Sequence, residues 1–413
     1  MASISANELA QEILDACLRD RTWPGRALDA LIQRALDDDD PFTAASATRA
    51  LFSIVVESLA DLFEPDLCEV YAQLFSHVIA RALPEYNSAD LLIRYRRVRQ
   101  VHRFRGGEIH RVFVLSRVTL GADVAVTSIA LNAAKERFPH AEVCLVGPSK
   151  NAELFARDRR IESIPVVYGR SSLLRDRLAA AVELQTIVDE PGTVVIDPDS
   201  RLTQLGLIPV CDEARYFFFE SRAFGGDLDL SLPELISEWV SEVFDIDAPG
   251  PSLAPAPQPH VADITVSFGV GENMTKRVDD EFEFQVLSNL LRRHWRVLVD
   301  RGAGGEEADR VNALAERLGR PTLLHLHDGS YASFASHILQ SNVYVGYDSA
   351  GQHVAAAGHI PLVSVFRGFV CEKMFARWRP TTPEARVIRV DNGNSSTALE
   401  RTLQAIAAVA GAR

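Results

Sequence analysis

Three short segments carry residue types suited to gripping a phosphorylated ligand and moving a proton. The first is Val345-Gly346-Tyr347-Asp348-Ser349-Ala350-Gly351-Gln352-His353. An apolar run ends at Gly346 and a helix is predicted from Ala350, so the polar cluster sits on a strand-to-helix turn. The first turn of such a helix has unpaired N–H groups and the positive end of the helix dipole, which suits a diphosphate. Gly351 would let backbone approach a ligand, and Asp348 would accept hydrogen bonds from sugar hydroxyls. The same Asp348-Ser349 pair also suits a plain helix cap. The second segment, Ser267 to Arg277, follows an apolar run and contains Gly269, Gly271, Thr275 and Lys276. Its glycines match neither a Walker A loop nor G-x-G-x-x-G. Lys276 would neutralise phosphate as a point charge, and the competing reading is a solvated basic loop. The third is Thr119-Leu120-Gly121-Ala122-Asp123-Val124. A carboxylate at a helix N-terminus stays ionised near neutral pH and would accept a proton; here too a cap is the simpler reading.

Other residues invite chemistry less strongly. His325, His327 and Asp328 alternate at a strand end without a distant third partner, so they are expected to be structural and no metal is expected. Asp197 and Asp199 end a strand and would either contact an acceptor or cap the turn Ser200–Leu205, with the cap preferred. Arg94, Arg96, Arg97, Arg99, His102, Arg103 and Arg105 form a basic run in an acidic protein. A solvated helix face is its simplest reading; contact with an anionic glycolipid or membrane surface is the functional alternative.

These segments need elements to position them. Residues 1–105 read as helical: Leu9, Ile13, Leu14 and Cys17 share one face, Ser5 and Glu8 have capping-box spacing, and Leu51, Val55, Leu59 and Leu62 form another stripe. Nothing there carries a catalytic motif, and an accessory or oligomerising role is expected. From residue 106 to 247 short β-rich runs (VFVLS, EVCLVG, SIPVVYG, TVVIDPD) alternate with helical stretches. This predicts parallel βαβ units in a Rossmann-like acceptor domain. Residues 248–260 (APGPSLAPAPQPH) hold five prolines, a stiff linker. The alternation restarts over 261–413 with DITVSFGV, WRVLVD, TLLHLH, VYVGYDS and IPLVSVF, predicting a second Rossmann-like domain. Two α/β halves facing a cleft suit an enzyme with two substrates.

Composition sets limits on this reading. The chain has 413 residues, 47% of them hydrophobic and 24% charged, which allows two or three well-cored domains. A formal charge of −13 argues against a broadly basic nucleic-acid surface. The five cysteines, Cys17, Cys68, Cys144, Cys211 and Cys371, are scattered without a C-x-x-C pair and suit reduced thiols in the cytoplasm. The N-terminal sequence lacks a secretory signal pattern, and no apolar window reaches the ~18 residues of a membrane span. Any membrane contact is expected to be peripheral, at the cytoplasmic face of the inner membrane.

Taken in order, the three segments resemble the heptosyltransferase-type glycosyltransferases of family 9. That family has a strand–LGD–helix opening, a lysine-bearing loop after the first strand of its second half, and a G-[ND]-[ST]-G-x-x-H-x-A-A segment. Phe138-Pro139-His140-Ala141-Glu142 and Ile360-Pro361-Leu362-Val363 extend the likeness, which runs from about Arg111 to the C-terminus. The resemblance implies a GT-B fold, inversion at the anomeric carbon, no essential metal or cofactor, and a nucleotide-diphosphate sugar, ADP-linked in kind, as co-substrate. By position it implies Asp123 as general base and Lys276 with Thr275 at the diphosphate. Asp348 would lie on the donor sugar, and Ser349, Ala350, Gly351 and His353 around the diphosphate. One departure stands out: Ala122 separates Gly121 from Asp123, and one residue turns a helical position by about 100°. The leading expectation is a glycosyltransferase acting on a cell-envelope glycan or glycolipid. A non-catalytic nucleotide-sugar or glycan binder on the same scaffold is the alternative, and a nicotinamide oxidoreductase is disfavoured by the missing G-x-G-x-x-G.

Overall fold

The computed structural model describes residues 4–411 except 38, 170, 171, 272, 303 and 392–394, so Glu272 of the second segment lies outside the described residues. The first sheet comprises β1 (Arg111–Leu115), β2 (Glu142–Gly147), β3 (Ile161–Pro165), β4 (Thr193–Asp197) and β5 (Tyr216–Phe218), in the order β3-β2-β1-β4-β5. The second comprises β6 (Ile264–Ser267), β7 (Val297–Asp300), β8 (Leu324–His327), β9 (Val343–Tyr347), β10 (Leu362–Phe366) and β11 (Ala385–Arg389), in the order β11-β10-β9-β6-β7-β8. All pairings are parallel. The fold is therefore α/β with two Rossmann-like sheets, as the alternating pattern predicts. Two strands escaped that pattern, the aromatic β5 and the edge strand β11.

Each sheet starts at an inner strand, builds outward, then crosses back to the other side of its starting strand. The gaps between β1 and β4, and between β6 and β9, are the points where winding reverses. Loops leaving adjacent strands there diverge and leave a crevice at the carboxyl edge.

Strand side chains alternate between two cores, because successive Cβ atoms point to opposite faces. In the first sheet Phe113, Leu115, Cys144, Val146, Val195 and Phe218 enter one core. Val112, Val114, Val143, Leu145, Val194, Ile196 and Phe217 enter another. The first core is completed by the N-terminal helices Ala6–Asp20, Gly25–Ala35, Pro65–Ala82 and Ser88–Val98. Leu28, Leu31, Ile32, Tyr71, Phe75 and Tyr95 are buried there. The N-terminal region is thus one layer of the first half. Its apolar stripes, including Leu9, Ile13, Cys17, Leu51, Val55 and Leu59, face the chain's own core. The second core continues across both halves, taking in Tyr344, Val354, Ala355 and Leu362 from the second sheet and its helices. The far face of the second sheet has its own core of Val266, Val299, Val345, Tyr347 and Val365.

The proline-rich segment is fastened along the first half. Ala254 exchanges backbone hydrogen bonds with Leu154 and Arg157, each 2.8 Å, and Ser128, Asn132 and Ser237 bind its backbone at Ser252, Gly250 and Pro249. Both capping boxes read from sequence form, at Ser5/Glu8 and at Ser231/Glu234.

Candidate functional site

The second sheet's reversal point brings the first two segments together. Lys276 lies on the loop after β6, in the short turn Met274–Lys276, and Asp348 follows β9 directly. Lys276 Nζ donates to Asp348 Oδ2 at 2.7 Å and to the Asp348 carbonyl at 3.3 Å, bridging the crevice. Asp348 also accepts from Gln352 Nε2 at 2.6 Å, and Gln352 in turn accepts from Ser364 on β10 at 2.6 Å. This chain of bonds fixes the carboxylate from both sides of the crevice.

The helix Ala350–Ala357 opens immediately beyond Asp348. Its N-cap residue, Ser349, is extended (φ −153°, ψ −176°), and no side chain caps the helix. The cap reading of Asp348 and Ser349 is therefore not realised; the Gln352 amide bonds the Ser349 carbonyl at 3.3 Å, and the Ala350 and Gly351 amides have no partner among the described residues. Gly346 and Gly351 are required here. A Cβ on Gly351 would lie 2.1 Å from the Tyr344 hydroxyl, and one on Gly346 2.4 Å from it. The Tyr344 ring thus fills the space beneath the turn.

His353 is buried, and its ring meets Trp378 edge-on at 5.6 Å. Desolvation lowers its pKa to about 4; Asp348 acts the other way and Lys276 adds to the lowering. At neutral pH the imidazole is therefore uncharged. Thr275 is exposed, and its hydroxyl is engaged by Asn273 Oδ1 at 2.5 Å.

The third segment reaches this site by an unexpected route. A Cβ on Gly121 would lie 3.1 Å from Ala350 Cα and 3.2 Å from His353 Cδ2, so the turn Leu120–Ala122 rests against the start of the Ala350 helix. Asp123 does not face the opening. It is fully buried and accepts from Ser116 Oγ (2.5 Å), the Arg117 amide (2.7 Å), Thr127 Oγ1 (2.6 Å) and Asn151 Nδ2 (2.5 Å). Burial raises its pKa while these bonds draw it back. Every side of the carboxylate is hydrogen-bonded in this way, so Asp123, expected from the resemblance to be the general base, ties the β1 turn together.

The other carboxylates at the first sheet's edge are also enclosed. Asp197 accepts from the Ser200 amide, Thr203 and Tyr216 at 2.5–2.6 Å, holding the turn after β4 as its cap reading expects. Asp199 is buried against Ser221 and Arg222, with Arg222 Nε at 3.0 Å. Strain collects on this edge: Val118 at φ 72° and Asp199 at φ 69° sit in the left-handed region that a β-branched residue or a non-glycine rarely adopts.

Four members of the arginine run have partners: Arg94 donates to the Gly206 carbonyl at 2.9 Å, Arg97 pairs with Glu213 at 2.6 Å, and Arg99 pairs with Glu220 at 2.6 Å. Arg96 pairs with Glu69. Arg103 and Arg105 of the same run are exposed. His327 is held by Asp300 (3.3 Å) and Ser333 (2.6 Å), and Asp328 pairs with Arg301, the structural role expected for them, while His325 is exposed. Sequence reasoning also passed over Asp61, on the N-terminal helices, which lies within electrostatic reach of Lys276 and Asp348. It carries no motif and precedes the stretch covered by the family resemblance.

Two Rossmann-like sheets joined by a proline-rich segment, with the crevice residues on the second, define the GT-B architecture of glycosyltransferases. Among solved structures, the chain resembles E. coli ADP-heptose lps heptosyltransferase II (TM-score 0.53, 17% identity, 73% of this chain and 98% of that one). It also resembles a family 9 glycosyl transferase from Veillonella parvula (0.57, 13%, 74% and 99%). A third is E. coli heptosyltransferase WaaC with ADP (0.54, 14%, 71% and 99%). No protein-family profile and no curated protein sequence matches the chain. The fold expected from the three segments is thus that of the heptosyltransferase-type enzymes.

Proposed function

We propose that this chain is an inverting glycosyltransferase that moves a sugar from a nucleotide-diphosphate donor to a glycan or glycolipid acceptor. The observation carrying this reading is the Lys276–Asp348 bridge beside the uncapped helix at Ala350, on the two loops that flank a reversal point. A diphosphate seated there would meet helix amides and the lysine ammonium. As the sugar–oxygen bond breaks, negative charge grows on the leaving phosphate, and these groups would offset it without a metal ion. Asp348 is buried between Lys276 and Gln352 and would accept from the sugar's hydroxyls by exchanging one of these bonds. The similar solved structures include E. coli heptosyltransferase WaaC with ADP and with ADP-2-deoxy-2-fluoro heptose, so an ADP-linked heptose or related hexose is the first donor to test. On this reading the protein works in the cytoplasm; among the described residues no helix is long and apolar enough to cross a membrane.

Thermal-shift screening of the purified protein against nucleotide sugars, followed by calorimetry with ADP, tests the proposal. Binding should weaken at least ~10-fold in Lys276→Ala, as expected for loss of a charge-assisted contact. Absence of stabilisation by every nucleotide and nucleotide sugar would reject it. The enclosed state of Asp123 favours one alternative, a nucleotide-sugar or glycan binder without turnover. Tight donor binding with neither transfer nor donor hydrolysis across an acceptor panel would select it.

A further inference from the structure

We propose that Asp61, delivered by the N-terminal helical layer, is the group that takes the proton from the acceptor hydroxyl. This inference rests on the glycosyl-transfer reading. Transfer needs a carboxylate or another base near the donor crevice, and Asp123, Asp197 and Asp199 are each buried and fully hydrogen-bonded. Asp61 differs in its bonding: the residue is half-buried, and its carboxylate receives no hydrogen bond from any described residue.

The chain takes deliberate steps to put it there. Asp61 closes the short helix Glu57–Ala60, its amide bonded to the Glu57 carbonyl at 2.9 Å. The Cys371 thiol, from the second half, points at the carbonyls of Asp61 and Leu62, each at 3.7 Å. Phe63 then adopts a left-handed conformation (φ 53°) and buries its ring in the core shared by both halves. A bulky residue at positive φ persists only where its surroundings hold it, and here the surroundings are both sheets. The turn is therefore pinned across the cleft.

The charges facing Asp61 come from three places. Glu57 is on its own helix, Arg201 is on the turn after β4, and Lys276 and Asp348 belong to the second half. Glu57 is paired with Arg201 at 3.3 Å, and Lys276 with Asp348, which leaves Asp61 as the unpaired member. Burial, with Glu57 and Asp348, pushes its pKa up to about 6, while Arg201 and Lys276 pull down. A base with that value is ionised at neutral pH and still holds a proton well enough to help remove one.

The step balances as follows. The acceptor oxygen forms a bond to the anomeric carbon as its O–H proton passes to the Asp61 carboxylate. The bond from that carbon to the phosphate oxygen breaks, and its electron pair leaves with the nucleoside diphosphate beside Lys276. The Asp61 proton is then released to water.

The test uses the full chain, with the donor and acceptor that give the highest wild-type turnover in the screen above. Asp61→Asn should lower kcat by about 10²–10⁴-fold while ADP binding by calorimetry is unchanged. Wild-type kcat/KM should fall as pH drops through about 6, because protonated Asp61 cannot accept a proton, and the residual activity of Asp61→Asn should lack that limb. The variant should also melt higher than wild type at neutral pH and lose this advantage in acid. The carboxyl's raised folded-state pKa means that its ionisation disfavours the fold above about 6 and not below its unfolded value. Wild-type turnover with near-normal kcat in Asp61→Asn would overturn this inference alone. If wild type binds neither ADP nor any nucleotide sugar, the transfer reading falls and takes Asp61 with it.

Discussion

A carboxylate's neighbours decide what it can do. Asp348 and Asp123 both follow a strand of a parallel sheet, and both looked from sequence like groups aimed at a ligand. Asp348 meets a lysine from the opposite lip of a crevice, whereas Asp123 meets four donors from its own half and is closed off. Each buried donor left without a partner costs about 1–3 kcal/mol. Asp123→Ala should therefore lower the melting temperature by roughly 5–15 °C, measured by calorimetry. An Asp123→Ala protein that melts like wild type but has lost turnover would return the proton-accepting role to this residue. Lys276 and Asp348 were legible because their signal is local, a polar pair at the end of an apolar run. The fate of Asp123 was not, since Asn151 reaches it only once β1 and β2 have paired.

At the scale of elements, the site depends on how closely the Ala350 helix sits on the sheet and on the turn Leu120–Ala122. Tyr344 points from β9 toward this helix, and Gly351 clears its ring; the Gly121 position likewise clears Ala350. Gly351→Ala would push the helix off its seat. We expect a loss of about 1–3 kcal/mol in urea denaturation, as for other overpacked sites, together with weaker ADP binding. Replacing Tyr344 by Leu in that background should recover much of both. Failure of the double variant to recover would place the effect in the backbone and not in the tyrosine ring. The helix itself, its start at Ala350 and most of its neighbours were readable from period and turn residues. Strands β5 and β11 were missed for opposite reasons: Tyr216–Phe218 is so short and aromatic that it shows no alternation, and Ala385–Arg389 is an edge strand with half-exposed, mixed side chains.

For the whole molecule, the N-terminal helices matter most. They cover the face of the first sheet that presents Phe113, Leu115, Cys144, Val146, Val195 and Phe218. Burying one large apolar side chain is worth about 1.5–3 kcal/mol, and a domain's net stability is only about 5–15 kcal/mol. A fragment starting at Gly106 should therefore be insoluble or lack near-ultraviolet circular dichroism. A soluble fragment that unfolds cooperatively would show that the helices are an appendage. The same layer carries Asp61 to the cleft, so the region without a recognisable motif both completes a core and supplies a candidate reactive group.

By itself the sequence determined the parallel α/β character, the proline-rich break between the halves and the strand-to-helix turn at Asp348. Each of these is written in residues within one or two turns of one another, where backbone geometry dictates spacing. Only the tertiary structure decided which carboxylate is shut away, which is open, and that the first hundred residues are a layer of the sheet. Those outcomes depend on burial and on partners tens to hundreds of positions distant, brought together when sheets and helices pack.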